Sequence, residues 1–473
     1  MITITLENSK SQISGPAKET LKMYKHFKLR NPGAFFLRAH MPKGWDGKID
    51  YITDRGYFST GLLTKVVAAC KEFGYKVKLE DNRDTKFLRK AKVATSAKGY
   101  IFRPYQVEAI KAVVEYEVEG IRNPRVTLKP ATNAGKTLIS AGIHLSYPGA
   151  KTLYLMNSKE LYDQALVELP EYLDCSIGYI QGKHCVWGDF MVVMVPTLRS
   201  QLKSLVGKLA NYKIAIIDEC DLADNKSNKL VIQALYNTVV RVGMSGTIFQ
   251  SKLAKDKPKN MNLEGFFGPL VYEISNRDLI DLGHSSEVRV KAIEGNVLNE
   301  RIGGGWQQEY TELIVHNTRR NRKVVRRCTY HWNKGRTNQL VIAQRHEHIV
   351  LLVKAFEKAK RKGELPESTR IDWVHHDRKD RAKVVTAFLN GEIDILIGSM
   401  ILKRGKNFKK MKFMINAGAG KSPENIVQLL GRAFRGCKYY EDFFDQGFYM
   451  KKWSRKRFIY YKNEKLQVIN RFK

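Results

Sequence analysis

Short, nearly continuous apolar runs dominate the chain from Tyr100 onward. "RVTLKPA", "KTLYLMN", "DFMVVMV", "KIAIIDE" and "VVRVGMSG" are separated by stretches with helical spacing. A strand that is apolar on both faces is buried on both faces. Such strands alternating with helices predict a parallel sheet covered on either side. A second series, "TNQLVIAQ", "RIDWVHH", "DILIGS" and "KFMINAG", repeats the design. The pattern therefore predicts two tandem α/β domains, over 96–280 and 281–450, with "LIDLGHSSEVRVKAIEGN" carrying the crossing. The region 1–95 differs. "KIDYIT" and "GYKVKLE" read as strands around a helix on which Leu62, Leu63, Val66, Val67, Cys70 and Phe73 recur. This predicts a small basic α+β domain. The polar stretch "DNRDTKFLRKAKVATSAKG" reads as a linker. Gln250 to Asn260 and "ERIGGGWQQEY" read as loops, and 451–473 as a basic aromatic tail.

Charge narrows the function. Lys and Arg number 82 against 47 Asp and Glu, a net charge of +35. Such a field favours a polyanion, and for a soluble protein nucleic acid comes first. A membrane surface or a solubility effect is the bland alternative. No apolar run reaches the roughly 18 residues that a membrane span needs. The start, "MITITLENSK", lacks the pattern of a secretory signal. A cytoplasmic protein is expected, in the host cell cytoplasm if it comes from a phage. The six cysteines contain no C-x-x-C pair, so reduced thiols are expected rather than a zinc site or a disulfide framework.

Three clusters carry chemistry. In "RVTLKPATNAGKTLISAGI" a strand leads through a loop into a helix at Gly135-Lys136-Thr137. Backbone N–H groups and a helix N-terminus at such a place cradle phosphate oxygens. Lys136 would reach the terminal phosphates of ATP and Thr137 would hold Mg²⁺. Pro130 and Asn133 stand where glycines are common. In "KIAIIDECDLADN" the strand ends in Asp218-Glu219. Asp218 would bind Mg²⁺ through water, and Glu219 would orient and deprotonate the attacking water. A solvated strand end with a helix cap is the alternative for that acidic pair. In "ENIVQLLGRAFRG", Gln428, Arg432 and Arg435 fall on one helical face. They could be a solvated surface. If the two α/β halves face each other, the arginines could instead neutralise charge on the transferring phosphate.

From Tyr100 to Arg435 these motifs, in this order, resemble the superfamily-2 helicases and translocases, which have two RecA-like domains. "FRPYQVEAI" is similar to the adenine-recognition element, implying that Arg103 and Gln106 contact the base. "ATNAGKT" resembles motif I, implying Thr132, Asn133, Ala134, Gly135, Lys136 and Thr137 as nucleotide-binding residues. "LMNSKELYDQ" and "VMVPTLRSQ" imply Ser158, Gln164 and Thr197 near a DNA strand. "DECD" resembles motif II. "MSGT" resembles motif III, in which Ser245 and Thr247 couple hydrolysis to strand binding. "SMILKRGKNF" resembles motif V, implying Ser399 at the strand and Gly405 at the nucleotide, although Arg404 and Lys406 depart from its usual small or apolar residues. "QLLGRAFR" resembles motif VI.

Gly44 to Val77, "GWDGKIDYITDRGYFSTGLLTKVVAACKEFGYKV", further resembles the N-terminal domain of the UvsW-type helicases of tailed phages. That resemblance implies an ATP-driven enzyme acting on branched DNA, namely forks, Holliday junctions and displaced strands, in phage replication and recombination. It also implies that the N-terminal domain grips duplex phosphates, with Lys43, Lys48, Lys65, Arg83 and Lys86 as candidates. Trp45-Asp46-Gly47 reads as a tight turn with a packed aromatic.

Asp221, the fourth residue of motif II, points elsewhere. Asp is usual there in RNA-remodelling relatives, whereas many translocases carry His. An RNA-remodelling ATPase is therefore the alternative. Against it stand the N-terminal domain, "FRPYQ" and the Val427-Gln428 opening of motif VI. A non-enzymatic scaffold would rest only on Pro130 and Asn133. A nuclease-linked motor lacks any further carboxylate-lysine cluster. The tail "YMKKWSRKRFIYYKNEKLQVINRFK" suits stacking on bases with phosphate contact. A helix packing its aromatics inward and its charges outward fits it equally.

Overall fold

The computed structural model describes residues 1–131, 133–182, 184–248, 257–295, 303–399, 408, 410–420 and 438–469. They form two compact units, Met1–Ile274 and Ser275–Lys473.

The first unit opens with β1 (Ile2–Leu6), β2 (Lys10–Ser14) and α1 (Ala17–His26). There follow β3 (Lys28–Arg30), α2 (Ala34–Leu37), β4 (Lys48–Asp50), β5 (Tyr57–Ser59), α3 (Leu63–Glu72) and β6 (Val77–Asp81). The sheet order is β5-β2-β1-β6, with β1 parallel to β6 and antiparallel to β2. Alternation in β1 buries Ile2, Ile4 and Leu6 against Val66, Val67 and Cys70 of α3 and Met23 of α1. β3 and β4 form a separate two-stranded ribbon.

The expected linker is a packed strap. Arg83, 5% exposed, is held by Asp81 at 2.7 Å and by Asn123 at 2.9 Å. Leu88 and Ala97 are buried in the core that follows. Arg83 is therefore unavailable to a phosphate. Lys65 is paired with Glu264 at 3.0 Å.

Eight strands make the second sheet of this unit. Lys151–Met156, Tyr212–Asp218, Val240–Met244 and Arg125–Pro130 lie side by side and parallel. Among the described residues, only His184–Val186, at one edge, runs antiparallel to its neighbour. Ile214 and Ile216 face one hydrophobic core, and Ala215 and Ile217 the other, as a doubly covered parallel strand requires. The two sheets of the unit meet at the helix Lys257–Phe267. The Tyr51 hydroxyl donates to the Pro258 carbonyl at 2.8 Å. A side chain at Gly61 would stand 2.1 Å from the Glu264 carbonyl oxygen, so only glycine fits there. The start of that helix corrects the loop expected to reach Asn260; residues 249–256 lie outside the described residues.

The second unit holds a seven-stranded sheet in which every pairing is parallel. The stretch expected as a crossing supplies one of its strands, Arg289–Glu294. Part of the expected glycine-rich loop is the helix Gly305–Tyr310. The tail segment is a helix, Phe448–Asn463, that turns Trp453, Phe458 and Tyr461 into the core and Lys452, Arg455 and Lys456 to solvent. Arg457 is the exception among its bases, being fully buried against Asp442 at 2.7 Å. Of the two readings of that segment, the packed helix is the one observed.

Both sheets are parallel α/β layers of the RecA-like kind, with the small α+β domain on the first. No helix among the described residues is long and apolar enough to cross a membrane.

Candidate active site

The strand Arg125–Pro130 delivers the chain into a tight loop before the helix Lys136–Leu145. Asn133 and Gly135 both sit in the left-handed region, at φ 79° and 82°. Asn is the side chain that tolerates this conformation best, which accounts for its presence where glycine is common. Pro130 is the last residue of its strand, and the next N–H, of Ala131, donates to Ile274 at 2.9 Å.

Gln106 braces it. This side chain is 4% exposed and donates from Nε2 to the Ala134 carbonyl at 3.0 Å. Its Oε1 accepts the Arg103 N–H at 3.0 Å, closing the start of the helix Pro104–Val114. A Cβ at Gly135 would lie 2.6 Å from Gln106 Nε2. Arg103 itself is exposed, its guanidinium 3.2 Å from the Tyr105 hydroxyl.

Lys136 Nζ lies 3.1 Å from Asp218 Oδ1. Burial works against the lysine's charge, but Asp218, Glu219 and Asp221 outweigh it and hold the ammonium above its ordinary value. Asp218 is 4% exposed, and its Oδ1 also accepts the Glu219 N–H at 2.8 Å. The Tyr154 hydroxyl stands 3.5 Å from Oδ2. Burial, with Asp218 beside it, pushes that phenol well above its usual value, so it stays a neutral donor. Tyr154 is a neighbour that the sequence did not reveal, since an aromatic inside an apolar strand reads only as core. Glu219 turns the chain at φ 53°, a left-handed position uncommon for a side-chain-bearing residue. Cys220 is fully buried beneath this turn, and burial keeps its thiol protonated.

Asp221 accepts a hydrogen bond from Ser245 Oγ at 2.7 Å. Ser245 Oγ also lies 3.2 Å from Thr247 Oγ1 and accepts the Thr247 N–H at 3.2 Å. The three residues expected to couple hydrolysis to movement are thus one hydrogen-bonded set. They stand at the carboxyl ends of adjacent strands, where open parallel sheets place their ligand sites.

The expected DNA contacts divide. Ser158 is 3% exposed and caps the helix Lys159–Tyr172, accepting the Leu161 N–H and donating to Glu160 at 2.7 Å. Ser399, 7% exposed, follows the strand Ile395–Gly398. Gln164, half-buried, donates to Glu168 one turn on. Thr197 is half-buried in the short helix Val195–Ser200. Thr132, Gly405, Gln428, Arg432 and Arg435 lie outside the described residues.

Residues 99–250 match the family model described as type III restriction enzyme, res subunit. Residues 322–437 match the helicase conserved C-terminal domain. The ATP-dependent DNA helicase uvsW of Enterobacteria phage T4 is 23% identical over 419 residues, covering 83% of this chain and 79% of that protein. Among solved structures, a fragment of an HsdR subunit of a type I restriction enzyme from Vibrio vulnificus aligns with TM-score 0.53 and 16% identity. It covers 96% of this chain and 84% of that one. The Saccharomyces cerevisiae Dbp5 bound to RNA and ADP BeF3 aligns with TM-score 0.51 and 14% identity, over 80% and 96% of the two chains. At such identities these two structures establish a shared fold.

Proposed function

Starting from a chain that belongs to the superfamily-2 helicases, and is therefore an ATP-dependent helicase, we propose that it acts on branched DNA. In this reading it unwinds or branch-migrates forks and Holliday-type junctions during phage replication and recombination. The observation that carries the proposal is the likeness to the phage T4 DNA helicase, which extends over 83% of this chain. The net charge of +35 supports a nucleic-acid track.

We assign the chemistry as follows. The backbone from Thr132 to Gly135 and the helix start at Lys136 cradle the phosphates, with Lys136 supplying the counter-charge. Arg103 contacts the base, Gln106 does so on exchanging its bond to the Ala134 carbonyl, and Gly405 is assigned to nucleotide binding. The hydroxyl of Thr137 and the buried carboxylate of Asp218 are hard oxygen donors. This pair fits a magnesium ion, which takes few protein ligands and completes its shell with phosphate and water oxygens. When bound, that ion would neutralise charge on the phosphates. Glu219 accepts the proton of the attacking water. Gln428, Arg432 and Arg435 complement the charge of the transferring group. Asp221, Ser245 and Thr247 pass the change to the DNA track, which Ser158, Gln164, Thr197 and Ser399 border. Residues 1–95 grip the duplex arms.

Asp221 favours a second reading, an RNA-remodelling ATPase. Comparing ATPase stimulation by single-stranded DNA, forked DNA and RNA separates the two. Forked DNA should stimulate most, and stimulation by RNA alone would overturn the DNA reading.

A further inference from the structure

The ribbon of β3 and β4 ends in a tip, residues 31–47, in which ten consecutive residues, 35–44, are exposed. Phe35 and Phe36, in α2, are 85% and 80% exposed. Their rings pack edge to face, with centroids 5.5 Å apart. The tip is built. Asn31 Oδ1 accepts the Gly33 N–H at 2.9 Å, and the Asn31 N–H donates to Gly47 at 2.9 Å. Trp45 Nε1 donates to the Lys48 carbonyl at 3.1 Å, and Lys28 pairs with Asp46 at 3.0 Å. A stapled ribbon therefore holds two adjacent phenyl rings in water, where burial would otherwise be favourable.

Charge identifies the occupant. Asp46 is the only acid between Lys28 and Lys48, and Lys28 neutralises it. Arg30, Arg38, Lys43 and Lys48 are exposed and have no ion-pair partner among the described residues. Flat apolar rings bracketed by unpaired cations match the faces of bases bracketed by phosphates. The ribbon also has a mechanical footing. Tyr51, just past β4, bonds to Pro258 on the helix Lys257–Phe267, which follows Ser245 and Thr247 in the chain.

We propose that this tip is a strand-splitting wedge. Phe35 and Phe36 stack against the last base pair of a duplex arm, while Arg30, Arg38, Lys43 and Lys48 hold the flanking phosphates. The proposal rests on the DNA reading above.

The test uses the full chain with the double substitution Phe35→Ala/Phe36→Ala and, as a rescue, Phe35→Trp/Phe36→Trp. Both sites are exposed, so the melting temperature should match the wild type. ATPase stimulation by single-stranded DNA should stay within about twofold. Unwinding of a forked duplex should fall about tenfold or more in the Ala variant and return in the Trp variant. The fluorescence change of 2-aminopurine placed at the fork should be lost and regained in parallel. An Ala variant that unwinds forks as the wild type does overturns the wedge. So does one that loses binding to anionic lipid vesicles while unwinding normally, which would make the tip a membrane contact. A wild-type chain whose ATPase ignores DNA overturns the DNA reading itself, a result distinct from either.

Discussion

Ser245 donates its hydroxyl to Asp221 across 2.7 Å, joining the residue after Met244 to the acidic cluster at the end of the neighbouring strand. Asp221 is the residue that set DNA motors and RNA-remodelling enzymes apart in the sequence. Its carboxylate serves here as an acceptor for a serine, a task a histidine ring nitrogen can also perform. Ser245→Ala removes the donor without touching Lys136, Asp218 or Glu219. A hydrogen bond to a charged group contributes about 1.5–3 kcal/mol, so coupling should weaken by about ten- to a hundredfold. ATPase should survive within a few-fold while fork unwinding falls. Asp221→His should keep ATPase and retain much of the unwinding. Loss of both activities in Asp221→His would give the carboxylate an essential role of its own.

Glu219→Gln should abolish steady-state hydrolysis, with a loss of about 10²–10⁴ if Glu219 is the general base. Lys136→Ala should do the same and, in addition, weaken nucleotide binding. The buried Asp218 carboxylate then loses its counter-charge, which the structure places at 3.1 Å. DNA binding measured by fluorescence anisotropy should persist in both variants. Wild-type ATPase in either one would refute the assignment of the site.

Asn133 gives a narrower check on the loop. At φ 79° it occupies a conformation that costs most side chains roughly 1–2 kcal/mol and glycine nothing. Asn133→Gly should leave the KM for ATP near wild type, whereas Asn133→Val should raise it several-fold through backbone strain. Equal kinetics for the two variants would show that the loop rearranges when nucleotide binds.

The fold was legible wherever burial is symmetric. Strands such as Phe190–Met194 are apolar on both faces and announce themselves. β1 and β2 were missed because "ITITL" and "KSQIS" bury only alternate residues and look polar. Tyr439–Phe444 was missed because Glu441 and Asp442 interrupt the apolar run. Both acids are buried, held by Arg327 at 2.7 Å and by Arg457 at 2.7 Å, and no periodicity reveals partners so placed in sequence. The strand, turn and helix start around Lys136 were legible because they are contiguous in sequence. The burial of Ser158 and Arg83 was not legible for the opposite reason. One caps a helix and the other bonds to Asp81 and a distant asparagine, which only the fold makes visible.

Binding should weaken steeply with salt. The exposed cations of the tip and its two flanking strand ends, Arg30, Arg38, Lys43 and Lys48, lack ion-pair partners among the described residues, so each phosphate they meet releases counterions. Arg83 and Lys65 are already paired and should add little to the slope. The plot of log Kd against log salt should flatten by about 0.9 for each of Arg38 and Lys43 replaced by Ala. It should be unmoved by Lys65→Ala. A slope insensitive to the tip residues would place the phosphate contacts elsewhere.

Arg457 is fully buried and bonded to Asp442, to the Gly420 carbonyl at 3.1 Å and to the Phe443 carbonyl at 2.8 Å. Asp442 in turn accepts from Tyr461 at 2.7 Å and Asn416 at 3.0 Å. Removing one member of such a buried pair strands the other, at a cost of about 3–5 kcal/mol. Arg457→Met should lower the denaturant midpoint of the second unit accordingly. Arg457→Met/Asp442→Leu should recover only part of the loss, because Tyr461 and Asn416 are then left without their acceptor. Truncation after Met450 removes Trp453, Arg457, Phe458 and Tyr461 together and should yield a chain whose second unit does not fold. A detachable nucleic-acid tail predicts the contrary, a truncated chain with wild-type melting and only weaker DNA binding. Thermal unfolding of that truncation, followed alongside DNA affinity, decides between a structural helix and a binding arm.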